Sequence, residues 1–496
     1  MRDSTVQTAL FTDFYELTMA QGYWKKNMAR KSVFEMFFRK HPFQGGFSVF
    51  AGLGPLLEKL AAFSFSADDI AYLRSLSFFE DGFLDYLARF RFSGAVHAME
   101  EGTVVFPQEP LVRITGDLIE CQLVEGLVLN TINFQSLIAT KTARVYLASQ
   151  GGLIMEFGLR RAQGVDGALS ATRASIIGGA AGTSNVLGGK EFGVKVMGTM
   201  AHSWVMAFGS EEEAFAAYAE IYPQHPVFLI DTFDTLNAGL PNAIKVGKEI
   251  VRRGGNFGVR LDSGDLYYLT SEVRKALDKE GLHKATIAVS NDLDEDVIEA
   301  LMQQGAPINS WGVGTRMVTG GSDAAFTGVY KLAAFETPAG QMIPAIKVSD
   351  NPEKTTNPAV KQVLRLWDNE GAVCDVLVID GIDGIDGDEE IREGETYTFW
   401  HPSADYRHFR TAIVKKPEPL LTLKMENGKM VVGEKPLAAI QKHTLASLAE
   451  FDDTYKRNLN PHIYKVSVTE NLRDLKLRLI KGYLGERGGS GPEAPC

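Results

Sequence analysis

Six apolar runs between residues 150 and 320 each end in side chains able to handle a phosphate, a carboxylate or a proton. The run 153–157 leads into Gly158, Leu159, Arg160 and Arg161, and the run 194–197 into Gly198, Thr199, Met200, Ala201, His202 and Ser203. Run 227–230 leads into Asp231, Thr232, Phe233 and Asp234, and run 257–261 into Asp262, Ser263, Gly264 and Asp265. Run 286–289 leads into Ser290, Asn291 and Asp292, and run 308–311 into Gly312, Val313, Gly314 and Thr315. An imidazole such as that of His202 can move a proton or, as a nucleophile, change chemical state.

Each cluster also has a plain structural reading. His202 alone fits a satisfied core histidine. Arg260 and Asp262 fall on one face if their strand runs through both; together they suit an anionic ligand on which positive charge develops, and a simple ion pair accounts for them equally well. In the Gly312 to Thr315 segment, glycines let backbone N–H groups approach phosphate oxygens and the threonine adds a donor; a tight turn fits too. Arg160 and Arg161 suit phosphates or a solvated surface. Asp231 and Asp234 can hold Mg²⁺ or cap the next helix, with capping expected of at least one. Asp380, Asp383, Asp386 and Asp388 mostly recur every three positions, unlike a calcium loop, and read as an acidic surface turn. Glu211 to Glu213 and Asp292 to Asp296 read as charges at helix N-termini.

These clusters need elements to position them. Helix-like stretches 211–221 and 267–278 lie between the runs, and strands alternating with helices imply a parallel sheet. With six or seven repeats, closure into an α/β barrel is expected, its functional groups at the C-terminal strand ends. Residues 1–140 read as an N-terminal α/β domain, 141–325 as the barrel, and 326–484 as post-barrel segments completing the flanking domain. Residues 485–496 read as a disordered tail.

Composition narrows the function classes. The formal net charge of −11 and pI near 5.5 argue against nucleic acid as the main partner, without excluding phosphate ligands. Cys121, Cys374 and Cys496 are too scattered for a disulfide framework or a cysteine zinc site. The start of the chain lacks a signal-peptide core, and no apolar stretch approaches the ~20 residues of a membrane span, so a cytoplasmic location is expected.

Read in order, the motifs resemble those of the nicotinate phosphoribosyltransferase family. They are Thr12-Asp13-Phe14-Tyr15-Glu16-Leu17-Thr18-Met19, Phe157-Gly158-Leu159-Arg160-Arg161-Ala162-Gln163-Gly164 and Gly182-Thr183-Ser184-Asn185-Val186-Leu187. The Gly198 to Ser203, Asp231 to Thr235, Gly258 to Asp265 and Gly312 to Thr315 segments complete them. Gly188 and Phe233 depart mildly, where the family often has alanine and tyrosine. The last hundred residues are expected to carry little family signal.

The resemblance implies an irregular α/β barrel of the type II phosphoribosyltransferases, flanked by an α/β domain and working as a homodimer. It implies formation of nicotinate mononucleotide and pyrophosphate from nicotinate and 5-phosphoribosyl 1-pyrophosphate, coupled to ATP hydrolysis with Mg²⁺ and a transiently phosphorylated His202. Asp262 is then a catalytic group. Tyr15 of one subunit and Phe157 of the other sandwich the pyridine ring, with Arg260, Thr199 and Ser203 nearby. Arg160, Gly312, Gly314, Thr315 and Thr356 hold phosphates. Ser184 stands where related nicotinamide enzymes carry an aspartate that would repel a carboxylate, so it favours nicotinate. A nicotinamide or quinolinate enzyme, or a non-catalytic ligand-binding relative, are the alternatives.

Overall fold

The strand–helix repeats are built from short buried runs followed by capped, one-sided helices. The computed structural model describes residues 9–381, 387–388, 390–404, 406–433 and 435–485. Its parallel sheet contains β1 (Leu153–Glu156), β2 (Gly182–Thr183), β3 (Val227–Leu229), β4 (Gly258–Leu261), β5 (Thr286–Val289) and β6 (Ser310–Val313). Their spatial order is β2-β1-β6-β5-β4-β3. Ile154, Phe228, Val259, Ile287, Val289 and Val313 are fully buried, as a two-sided parallel sheet requires. Outer helices supply the second layer. Leu240–Arg252 buries Leu240, Ala243, Val246 and Gly247, a spacing that keeps one face inward.

Two expectations change. The run 194–197 is not a strand: it makes one isolated parallel bridge, Thr183 with Val196. Helix Val186–Phe192 ends at Gly193 in the left-handed conformation and releases the chain directly into this segment, where β2 offers only two residues for pairing. The last run lies later than expected, so Gly312 and Val313 belong to β6 and the turn begins at Gly314.

The chain divides into two compact units, one of residues 137–324 and 437–445, the other of residues 1–136, 325–436 and 446–496. The barrel unit therefore includes a helical segment from far beyond its last strand. There Gln441 donates its amide to the carbonyls of Ile176 and Ala180, at 2.6 and 2.8 Å, where helix Gly164–Ile177 ends.

In the other unit a seven-stranded antiparallel sheet is built around strand Lys31–Phe38, seven of whose eight residues are buried. It pairs with Gly328–Glu336 on one side and Val112–Asp117 on the other, joining N-terminal and post-barrel chain in one sheet. A second sheet pairs Lys361–Trp367 with Ala372–Ile379. Buried ion pairs sit in this unit: Lys361 with Glu35 at 2.8 Å, and Arg365 with Asp375 at 2.7 Å.

Asp380 turns inward to Arg113 at 2.8 Å, and Asp388 accepts from the Ile379 N–H and the Thr469 hydroxyl, so these two do more than decorate a surface turn. Asp383, Asp386 and, except for Gly485, the expected tail 485–496 lie outside the described residues. Among the described residues no helix is long and apolar enough to cross a membrane.

Candidate active site

The C-terminal ends of β4 and β5 carry a dense polar cluster. Arg260, the third residue of β4, donates Nε–H to the Ser290 hydroxyl at 2.8 Å and a terminal N–H to Thr199 Oγ1 at 2.7 Å. The same nitrogen reaches the Met200 carbonyl at 3.2 Å, and the other terminal nitrogen reaches Asp262 Oδ1 at 3.3 Å. Ser290 in turn donates its hydroxyl to Asp262. One serine thus accepts from the cation and donates to the carboxylate, which fixes the guanidinium plane. Its carbon lies 5.7 Å from the centre of the Phe157 ring, a cation–π distance.

His202 begins the short helix His202–Met206. Its Nδ1 lies 3.1 Å from Thr232 Oγ1, and its Nε2 lies 3.8 Å from Asp262 Oδ2. Asp231 is not a helix cap. Its Oδ2 accepts from the Asp262 N–H at 2.8 Å and the Ser263 hydroxyl at 2.6 Å, while buried Oδ1 has no hydrogen-bond partner. Asp234 is the cap, accepting from the Asn237 N–H at 2.9 Å.

Phe157 follows β1 and continues its pairing with β6 through a 2.8 Å bond to the Val313 carbonyl. The ring lies against Gly312, where a Cβ would come within 2.6 Å of it. Gly312 is therefore glycine because the ring occupies the side-chain space. Behind the ring, buried Glu156 accepts from the Gly158 N–H, the Thr172 hydroxyl and the Thr183 hydroxyl.

Phe157, Thr199, His202, Arg260, Asp262 and Gly312 thus form one connected group. Ser184, half-buried, stands after β2 and donates its N–H to the Glu156 carbonyl at 2.8 Å. Arg160 is exposed in the turn after β1 and Ser203 is exposed in the short helix His202–Met206; Gly314 precedes, and exposed Thr315 opens, the short helix Thr315–Val318. The two remaining candidates belong to the other unit. Tyr15 is 47 % exposed in helix Phe14–Lys25, with its hydroxyl pKa raised by burial and then by the nearby carboxylates of Glu125, Glu16 and Asp13. Thr356 is buried, and its hydroxyl accepts the Lys347 N–H at 3.0 Å.

Sequence reasoning placed Ser290 and Thr232 at strand ends without a role, and it passed over Glu156. An acidic residue closing the otherwise apolar strand Leu153–Glu156 was the available signal for Glu156. Asp294, Glu295 and Asp296 do stand at a helix N-terminus as read, and one of them does more. Asp294 caps helix Glu295–Gln303, but Glu295 is buried against Lys141 at 2.5 Å and Arg144 at 2.8 Å.

Residues 10–133, 153–370 and 360–476 match the family models described as the nicotinate phosphoribosyltransferase (NAPRTase) N-terminal domain, family and C-terminal domain. The match over 360–476 overturns the expectation of little family signal near the C-terminus. The chain is 39% identical over 476 residues to a Bacillus subtilis nicotinate phosphoribosyltransferase, covering 95% of each chain. It is 47% identical over 328 residues to one from Mycobacterium tuberculosis, covering 66% of this chain and 70% of that one. The crystal structure of human nicotinic acid phosphoribosyltransferase superposes with a TM-score of 0.80 at 29% identity, covering 94% of this chain and 99% of that one. The irregular barrel and its flanking unit are the type II phosphoribosyltransferase fold, and the chain belongs to the nicotinate phosphoribosyltransferase family.

Proposed function

We propose that the protein forms nicotinate mononucleotide and pyrophosphate from nicotinate and 5-phosphoribosyl 1-pyrophosphate, coupled to ATP hydrolysis through phosphorylation of His202, in NAD salvage. The observation that carries this reading is the Arg260–Ser290–Asp262 cluster beneath the Phe157 ring, with the His202 imidazole at its edge. The pyridine stacks on Phe157, with Tyr15 of a second subunit on its other face, and Arg260 faces the nicotinate carboxylate. The ring nitrogen attacks the ribose C1, the C1–oxygen bond breaks, and pyrophosphate leaves with its electron pair. Asp262 stabilises the positive charge that builds on the sugar. Ser184, carrying no charge, leaves the nicotinate carboxylate unopposed.

With Nδ1–H donated to Thr232, Nε2 keeps the lone pair that attacks the γ-phosphorus of ATP; ADP leaves, and water later cleaves the N–P bond to release phosphate. Asp262 balances the imidazolium charge in between. Among the described residues no three His, Cys, Asp or Glu side chains gather as a metal cage. Mg²⁺ of the kind held mainly by phosphates still fits, because Asp231 presents a buried, unpartnered oxygen. Asp231 and Asp262 would hold it, and it would neutralise charge on the leaving pyrophosphate.

The test is product formation from nicotinate and 5-phosphoribosyl 1-pyrophosphate, with and without ATP, against nicotinamide and quinolinate as competitors. Nicotinate turnover and acid-labile phosphate on the ATP-treated protein are expected; absence of pyrophosphate release refutes the activity. His202→Ala is expected to lose ATP stimulation while retaining some ATP-independent transfer, and full ATP stimulation in that variant refutes the phosphoryl-acceptor role.

A further inference from the structure

We propose that Glu156 is a positioning residue that sets pyridine affinity and selectivity by locking two loops in register, an inference that rests on the activity proposed above. The side chain is 1% exposed and closes a strand whose neighbours Ile154 and Met155 are apolar. Burying a carboxylate there is costly unless every lone pair is used. Its donors come from three separate places. One oxygen takes the N–H of Gly158, in the turn that begins at Phe157. The other takes the hydroxyls of Thr172, at 3.1 Å on helix Gly164–Ile177, and of Thr183, at the end of β2.

The network then passes outward. The Thr183 hydroxyl accepts the Asn185 N–H at 2.9 Å, and the Thr172 hydroxyl accepts the Asn185 side-chain amide at 3.2 Å. Asn185 spends its remaining oxygen on the Gly188 N–H at 3.1 Å, capping helix Val186–Phe192. Between Thr183 and Asn185 sits Ser184, whose N–H bonds to the Glu156 backbone carbonyl at 2.8 Å. A single buried residue therefore fastens Phe157, assigned to the ring, and Ser184, which with Arg260 is assigned to its substituent. A plain core role would be served by an apolar side chain; a carboxylate reaching both loops serves their relative placement.

Glutamine has nearly the same shape but must point an NH₂ at the Gly158 N–H or at two hydroxyls that already donate. With Glu156→Gln the expected result is a KM for nicotinate raised roughly tenfold, with kcat within about threefold and a reduced preference for nicotinate over nicotinamide. Thr172→Val, which deletes one donor away from the ring, should move the nicotinate KM in the same direction by about threefold, and it decides the matter alone if Glu156→Gln does not fold. Thermal unfolding of each variant reports the structural cost separately. An unchanged nicotinate KM and selectivity, or a loss confined to kcat, overturns the positioning role while wild-type turnover stands. No turnover by the wild type overturns the activity and this role with it.

Discussion

Replacing Gly312 by alanine separates what the site needs from what the fold needs. A Cβ at this position would lie 2.6 and 2.7 Å from two edge carbons of Phe157 and 3.2 Å from the Ser290 Cβ. Ordinary contact requires the ring to withdraw by about 0.8 Å. Because the obstacle is the far end of a side chain, the backbone need not move, and overpacking costs about 1–2 kcal/mol. Reduced freedom of the unfolded chain offsets roughly 0.5 kcal/mol of that. The site has no such latitude, since the ring lies 5.7 Å from the Arg260 guanidinium and forms one wall of the proposed pyridine site. Misplacement on the order of 1 Å lowers catalysis by up to about 100-fold. Steady-state kinetics with nicotinate should show kcat/KM lower by roughly 10- to 100-fold, alongside a small loss in thermal stability. Gly482→Ala, in helix Glu470–Gly485 with nothing within 4 Å of its Cβ position, is the control. A folded Gly312→Ala enzyme with kcat/KM within about twofold of wild type refutes the close-approach argument.

Ser290→Ala removes the hydroxyl joining Arg260 to Asp262 and should raise the nicotinate KM about five- to tenfold, checked by the same kinetics; no change would show that the bridge is dispensable. Burial pushes the Glu16 carboxyl up to about 7, with Glu125 and Asp13 adding to the rise and the Thr12 hydroxyl opposing it. The native carboxyl then holds a proton that the unfolded chain has released, so stability falls as pH rises between about 4.5 and 7. Glu16→Gln should stabilise by roughly 3 kcal/mol at most above that window and by nothing below it, read from urea midpoints against pH; a pH-independent difference contradicts the assignment. Arg365→Met strands buried Asp375 and should cost about 3–5 kcal/mol in denaturant unfolding, whereas Arg365→Met with Asp375→Leu should recover most of it.

Much of the barrel was legible because its repeats announce themselves twice, as an apolar run and as the polar cluster that ends it. The run at 286–289 became strand Thr286–Val289 unchanged. The strand stops at Leu261, one residue short of running through both Arg260 and Asp262, yet the two still meet at 3.3 Å just past its end. Two features were hidden for opposite reasons. Gly312 looks like a turn residue, yet its glycine character answers a ring arriving from 155 positions earlier in the chain, a distance that local pattern cannot carry. The run at 194–197 has strand composition but meets a partner only two residues long, and pairing depends on both strands. The networks around Ser290 and Glu156 were hidden because their partners converge only in the fold, although an acidic residue ending the apolar run 153–155 marked Glu156 as unusual.

The return of residues 437–445 to the barrel unit bears on how this chain is made. A ribosome that has just released residue 324 has delivered all six parallel strands, but the amide of Gln441, which satisfies the end of helix Gly164–Ile177, is more than a hundred codons away. A fragment cut at 137–324 carries the same deficit permanently: the Ile176 carbonyl keeps only its backbone partner Gly179, and the Ala180 carbonyl loses its Gln441 donor. Vectorial synthesis should therefore pass through a barrel that is threaded yet unsealed, completed only when the distant segment docks. Expression of the barrel unit alone calls for that segment to be grafted back, in cis or as a separate peptide.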